Sequence, residues 1–207
     1  MKLRLFRKRR KDAASIPIKS KLSIPITYST HSEGSYDAMF KIVLFGDIIE
    51  GREELANKFM TNLFLTDTKM TIGVDFETKD VDIDQKKVRL QIWDLDSNKR
   101  FRILLPTYVQ GSRGGLFLYN VNDEASLTNL DDWLSLIKKK IKKTEGFPIL
   151  VVGINTDEQD QKRIPVKEAI KIAKMKDIHG LIECSVKTGE NVEKVFENLT
   201  KLMLQQN

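Results

Sequence analysis

The chain has little of what several protein classes require. A single cysteine, Cys184, leaves no partner for an internal disulfide, which excludes a disulfide-stapled secreted scaffold and any cysteine-rich zinc module, and points weakly to a reducing compartment. Two histidines leave little material for a histidine-based metal site. No run of about 20 apolar residues occurs, so no transmembrane helix is expected. Position 2 is lysine and the chain ends Gln205-Gln206-Asn207, so neither a myristoyl nor a prenyl anchor is expected. What remains is 207 residues with 41% hydrophobic, 31% charged and 8% aromatic side chains, which fits one globular domain carrying a tail and excludes disordered or collagenous chains.

The net charge of +6 is unevenly placed. Lys2, Arg4, Arg7, Lys8, Arg9, Arg10 and Lys11 sit in the first 11 residues without an acid, so the other 28 basic residues face all 29 acidic ones. The body is near neutral and only the start is basic, the pattern of an arm for anionic surfaces. Each cation near an anionic bilayer contributes about 1 kcal/mol, and Leu3, Leu5 and Phe6 add material for insertion. An anionic membrane is the expected contact, rather than nucleic acid. The same start, basic and serine-containing with Asp12 its first acid, is also compatible with a transit-type presequence.

Residues 1–38 show no sustained period and contain an eight-residue echo, Ser15-Ile16-Pro17-Ile18 and Ser23-Ile24-Pro25-Ile26, whose prolines favour extended or disordered backbone. We therefore expect a basic N-terminal extension at 1–38 and a folded domain at 39–207. From Phe40 onward short apolar runs (40–45, 74–83, 88–93, 115–119, 149–152, 181–184) alternate with helical stretches (53–64, 124–143, 165–176, 191–204), the signal of a parallel α/β fold. Leu127, Leu130, Leu134, Ile137 and Ile141 share one helical face, and Pro165 suits a first helical turn. Lys138, Lys139, Lys140, Lys142 and Lys143 close the second helix, where cations oppose the dipole's negative end; a second anionic-surface patch is the competing reading.

After the first apolar run, Gly46 and Gly51, followed by Arg52-Glu53, carry the spacing of a phosphate loop, GxxxxGK[ST], with its last two residues changed. Then come Thr71-Ile72-Gly73-Val74-Asp75-Phe76, Trp93-Asp94 ahead of Arg100-Phe101, Val152-Gly153 leading to Asp157, and Glu183-Cys184-Ser185-Val186-Lys187-Thr188-Gly189. In that order and spacing the chain resembles a Ras-superfamily small GTPase, closest to the Rab branch, over roughly four fifths of its length. The resemblance implies a three-layer P-loop NTPase G-domain, with a six-stranded, mostly parallel sheet and helices on both faces. It implies GTP or GDP and Mg2+ as ligands, if any nucleotide binds. It also implies protein effectors or regulators at 71–76 and 94–108, and a cytoplasmic protein peripheral on a membrane.

Carried over position by position, the resemblance makes Gly46, Gly51 and Arg52 phosphate-loop residues, Arg52 standing for a lysine, and Phe64 a ring stacking on the base. Asp157 accepts from guanine, and Ser185, Val186 and Lys187 form the loop that meets the guanine oxygen. Thr71 and Asp94 fall at the magnesium positions. Glu53 replaces the metal-binding hydroxyl: a carboxylate about 4 Å from a phosphate oxygen costs on the order of 4 kcal/mol per charge pair at an effective dielectric near 20, unless it ligates the metal itself. Ser97 replaces the glycine beside the terminal phosphate, Asp96 next to it adds negative charge, and Asn98 stands at the water-orienting position, so GTP hydrolysis is expected to be very slow or absent. Two readings follow: a pseudo-GTPase acting as an interaction module at a membrane surface, or a working GTP/GDP switch with slow hydrolysis. Taken alone, the residues also admit plain roles: tight-turn glycines, a helix cap at Asp157, a surface Lys187, core rings at Phe64 and Trp93.

Overall fold

In the computed structural model, residues 4–5, 35–48, 51–62, 73–96, 101–138, 140–141, 146–154, 163–176 and 178–206 are described. The strands are β1 (Arg4–Leu5), β2 (Ala38–Phe45), β3 (Val74–Ile83), β4 (Lys86–Leu95), β5 (Gly114–Asn120), β6 (Ile149–Ile154) and β7 (Gly180–Glu183). They form one sheet in the order β1-β7-β6-β5-β2-β4-β3. β4, β2, β5, β6 and β7 are mutually parallel, and the two edges, β3 and β1, run antiparallel to their neighbours. Six of these are the expected strands. The seventh, β1, adds two residues of the basic arm to the β7 edge, with Arg4 opposite Leu181 and Leu5 opposite Gly180.

The helices are α1 (Arg52–Thr61), α2 (Leu105–Tyr108), α3 (Glu124–Thr128), α4 (Leu130–Lys138), α5 (Val166–Met175) and α6 (Val192–Leu204). The stretch expected as one helix from 124 is two, divided at Asn129, whose side-chain amide donates to Asp47 (2.7 Å). α3 starts where Asp123 accepts from the Ala125 N–H (3.0 Å), a side-chain cap satisfying one orphan donor. Pro165 caps α5 from outside instead of opening its first turn.

Central strands buried on both faces read as continuous apolar runs, and β5, β6 and residues 42–45 of β2 obey that rule. Ile42 and Leu44 turn to a core under α1 and α6, Val43 and Phe45 to a second core with Trp133, Leu134 and Ile137 of α4. Across the first core Phe59 of α1 stacks on Phe196 of α6, with centroids 3.8 Å apart and planes 7° apart. The β3–β4 hairpin closes on Asp84 and Gln85, both at positive φ, the turn whose twist matches paired strands. Residues 35–37 also belong to this body. The Asp37 N–H donates to the Lys87 carbonyl (2.9 Å), the Lys87 N–H returns to the Asp37 carboxylate (2.7 Å), and the Tyr36 hydroxyl donates to Asp80 (2.9 Å).

Because five strands are parallel, the loops after β2, β4, β5, β6 and β7 collect at one end of the sheet, where α/β folds place ligands. The Phe59–Phe196 stack holds α1, and so the loop before it, against α6. Phe196→Ala is expected to cost about 3–5 kcal/mol, read as a lower urea midpoint at unchanged m-value.

Candidate functional site

The loop from β2 to α1 is shaped by its two glycines. Gly46 has φ 147°, and a Cβ there would lie 2.1 Å from the Leu118 carbonyl oxygen, so no side chain fits. Gly51 has φ 95° and caps α1, and its N–H donates to the carboxylate of Glu54 (2.7 Å), one turn into the helix. That carboxylate takes a donor which a phosphate would otherwise use. Sequence reasoning passed over Glu54; an acid three residues after a helix cap was the available signal.

Arg52 turns inward. Its side chain is buried and forms an ion pair through Nε with the Asp94 carboxylate at the end of β4, itself buried. The partners meet because β2 and β4 are neighbours in register, Leu44 opposite Asp94. Burial pushes the Asp94 carboxyl up to about 7; Arg52 opposes that rise, while Glu53 and Asp75 add to it. Arg52 Nη1 is buried without a hydrogen-bond partner among the described residues. Glu53 lies half-buried in the first turn of α1. Among the described residues, no group of three His, Cys, Asp or Glu is placed to hold a metal ion. With Gly51 and Arg52 both engaged by carboxylates of the same chain, these residues fit a magnesium–triphosphate group poorly.

Asp47, in the same loop, is a hub that the sequence did not reveal. Its carboxylate accepts from Asn129 (2.7 Å) and the Trp133 indole (3.1 Å), and pairs with Arg102, whose guanidinium also lies 4.7 Å from the Trp133 ring centroid. The loop is thereby tied to α4 and to the 3-10 turn Arg102–Leu104 that leads into α2. Asp96 makes a second tie: its N–H donates to the Gly73 carbonyl (2.9 Å) and its carboxylate accepts from the Gly73 N–H (3.4 Å).

On the far side of the crevice, Ser185 and Val186 are buried and Lys187 is exposed. The Ser185 hydroxyl accepts from the Thr188 N–H (3.1 Å), folding the loop back on itself. Below it the buried Glu183 accepts from Arg163 (2.7 Å) and from the Tyr119 hydroxyl (3.5 Å), and Asn191 donates to the Glu183 carbonyl (3.0 Å). Burial pushes the Cys184 thiol up to about 12, with Glu183 and Glu190 adding to the rise, so this cysteine is structural and inert. A Cβ on Gly189 would meet Lys58 of α1 at 2.8 Å, so the two halves of the crevice touch there.

The structure thus brings Gly46, Gly51, Arg52, Glu53 and Asp94 together, with Ser185, Val186 and Lys187 across the strand ends. Phe64, Thr71, Ser97, Asn98 and Asp157 lie outside the described residues, as do Lys2, Arg7, Lys8, Arg9, Arg10 and Lys11; Arg4 is described only as backbone in β1.

The two segments expected to meet partners converge. Phe76 packs edge-on against Trp93 (5.2 Å) and Trp93 against Tyr108 (5.7 Å), so Trp93 is a half-buried surface ring instead of a core one. Met39, Phe76, Ile103 and Leu104, four of the five exposed large apolar side chains among the described residues, belong to these segments and to β2 beside them. Lys41 Nζ sits 4.0 Å from the Trp93 centroid and donates to the Gln110 carbonyl (3.2 Å), and burial pushes its pKa down to about 8.

A family model described as "Ras family" matches residues 41–205. Ras-related protein Rab-13 of Canis lupus familiaris is 32% identical over 172 residues, covering 82% of each chain. Ras-related protein Rab-11C of Dictyostelium discoideum is 34% identical over 167 residues, 81% of this chain and 73% of its own. Ras-related protein SEC4 of Saccharomyces cerevisiae is 33% identical over 178 residues, 86% of this chain and 81% of its own.

The raised Asp94 pKa has a thermodynamic sign. Its unfolded value is about 3.9, so between there and about 7 the native state holds the extra proton. Asp94 then contributes stability at low pH that is lost as pH rises through about 7, at up to about 1.4 kcal/mol per pH unit. Asp94→Asn is expected to remove that slope from urea-unfolding free energies measured between pH 4 and 8; an unchanged slope would contradict the assignment.

Proposed function

Because this chain belongs to the Ras family, in which it is closest to the Rab proteins, we propose that it is a Rab-like member with a degraded nucleotide site, a pseudo-GTPase that acts as a protein-interaction module at a membrane surface. The observation that carries this reading is the buried Arg52–Asp94 ion pair. It joins the phosphate-loop cation to the aspartate at the magnesium position, so each neutralises the other. Glu54 on the Gly51 N–H and Glu53 in the first turn of α1 add negative charge at the N-terminus of α1, where a polyanion would have to sit. Members of the Ras family bind GTP or GDP with Mg2+; the carboxylate-engaged loop of this chain fits that group poorly.

What the domain keeps is a face for partners. Phe76, Trp93 and Tyr108 form a contiguous aromatic surface spanning the segments read as effector or regulator contacts, and Asp47–Arg102 fixes the turn beside it. Apolar rings with a desolvated centre are the usual anchors of protein interfaces. The basic residues of 1–11 supply the membrane contact, and no helix among the described residues is long and apolar enough to cross a bilayer.

A second reading, a GTP/GDP switch with slow hydrolysis, is favoured by one observation. Arg52 Nη1 is a buried guanidinium donor without a partner among the described residues, and it would donate to a phosphate oxygen if Asp94 moved aside. The two readings separate on the purified protein. The pseudo-GTPase predicts no stoichiometric guanine nucleotide released on denaturation, whereas a one-to-one GDP peak would establish the switch. The triple variant Arg52→Lys, Glu53→Ser, Glu54→Ala is expected to tighten GTP binding by on the order of 100-fold in calorimetry with magnesium, because it removes two carboxylates from the phosphate's surroundings.

A further inference from the structure

The near-neutral total of the domain conceals a stripe of lysines on one helix. On α5, Lys167, Lys171 and Lys174 are all exposed at spacings of four and three, which places them on one face of the helix. Glu168 is the one acid of that helix. Met175, 72% exposed, follows Lys171 by four positions and so extends the same face. Lys176, just beyond, is half-buried and paired with Asp131 (2.5 Å).

The inner face of α5, through Ala169, Ile170 and Ala173, shares a core with Leu181 of β7. β1 pairs with the outer edge of β7, with Arg4 opposite that same Leu181. Neighbouring strands lie about 4.8 Å apart, so the backbone of Arg4 and Leu5 runs along the sheet edge which α5 covers. Acids on this side of the sheet include Glu168 and the pair that opens α4, Asp131 and Asp132, of which Asp131 is taken up by Lys176. Asp82 and Asp84 lie at the β3 edge, on the opposite side of the sheet, and Glu193 and Glu197 lie on α6, which packs in the other core; Lys201 there pairs with Glu197 (2.6 Å).

We propose that the outer face of α5, together with the β1 edge beside it, is a docking face for an anionic lipid bilayer. This deepens the membrane part of the function proposed above and rests on it, naming the side of the domain that meets the head groups. A lysine stripe with one flexible apolar side chain at its end suits the boundary between head groups and acyl chains: long lysine stems cover apolar surface while their ammonium groups stay with phosphate, and methionine inserts. Single-stranded nucleic acid would ask for aromatic platforms, and among the described residues the one exposed large aromatic side chain, Phe76, lies at the opposite edge of the sheet, on β3.

The test is co-sedimentation of the full chain with vesicles of phosphatidylcholine alone and of phosphatidylcholine with phosphatidylserine, at low and at physiological salt. One variant replaces Lys167, Lys171 and Lys174 with glutamine; a second replaces Arg7, Lys8, Arg9, Arg10 and Lys11 with glutamine. The parent is expected to bind only the anionic vesicles, and the α5 variant to bind them on the order of 100-fold more weakly, with a shallower salt dependence. If the α5 variant loses its urea-unfolding midpoint, Lys171→Gln alone is expected to weaken binding about fivefold. An α5 variant that binds like the parent overturns the docking face; if the second variant still loses binding, the arm reading survives alone. A parent that ignores anionic vesicles, or prefers single-stranded RNA to them, overturns both.

Discussion

The arrangement of the crevice turns on one buried ion pair, Arg52 with Asp94. Taking two charges out of water costs several kcal/mol for each ion, and mutual attraction seldom recovers all of it. The Asp94 carboxyl, held near 7 even beside a guanidinium, carries the sign of that unrecovered cost. The pair is therefore a weak source of stability and a strong source of placement. It draws the first residue of α1 toward the end of β4, and it commits the loop's cation and the strand's acid to each other. Glu54 repeats the device one turn on, engaging the Gly51 N–H. Three polar groups that a phosphate and a metal would share are engaged from within the chain, Arg52 through its Nε.

The same loop fixes the partner face through Asp47. Three donors, from the α3–α4 junction, α4 and the 3-10 turn, converge on that carboxylate, and one of them, Arg102, opens the turn that carries Ile103 and Leu104 into solvent. In a molecular switch, loops of this kind are ordered by a terminal phosphate. Here a side chain of the protein holds one of them, and α2, which follows it, carries the Tyr108 that completes the Phe76–Trp93–Tyr108 series. A surface assembled by intrachain contacts presents itself without waiting for a ligand, as the proposed interaction module requires.

Much of this was legible before any coordinates. Apolar runs such as 115–119 and 149–152 lie within strands buried along nearly their whole length, because buried parallel strands leave little room for polar alternation. The glycines of the loop and the loop after β7 were legible because backbone geometry restricts residue type. Less legible were features created by tertiary register. Nothing in the sequence says that Arg52 will choose Asp94 over solvent, since that depends on β2 and β4 lying side by side. The division of the long helix at Asn129 depends on a contact with Asp47, 82 positions away in sequence. β1 is only two residues long and shows no period, and its pairing is decided by the free edge of β7.

The loop's own composition separates what the fold demands from what a ligand demands. Gly46 has no alternative, because the Leu118 carbonyl oxygen occupies the space where a Cβ would go, and Gly51 holds a left-handed backbone that side chains resist. Both would be required in an empty loop of this shape. The two residues that follow, a cation and a small hydroxyl in the phosphate-loop pattern, are required by no backbone constraint of this kind. Those are the positions that carry arginine and glutamate here, and the arginine has found its counter-charge inside the protein. The departures from the motif therefore fall where only a bound polyanion and its metal would have objected, and the residues kept are those that the strand-to-helix connection would have kept on its own.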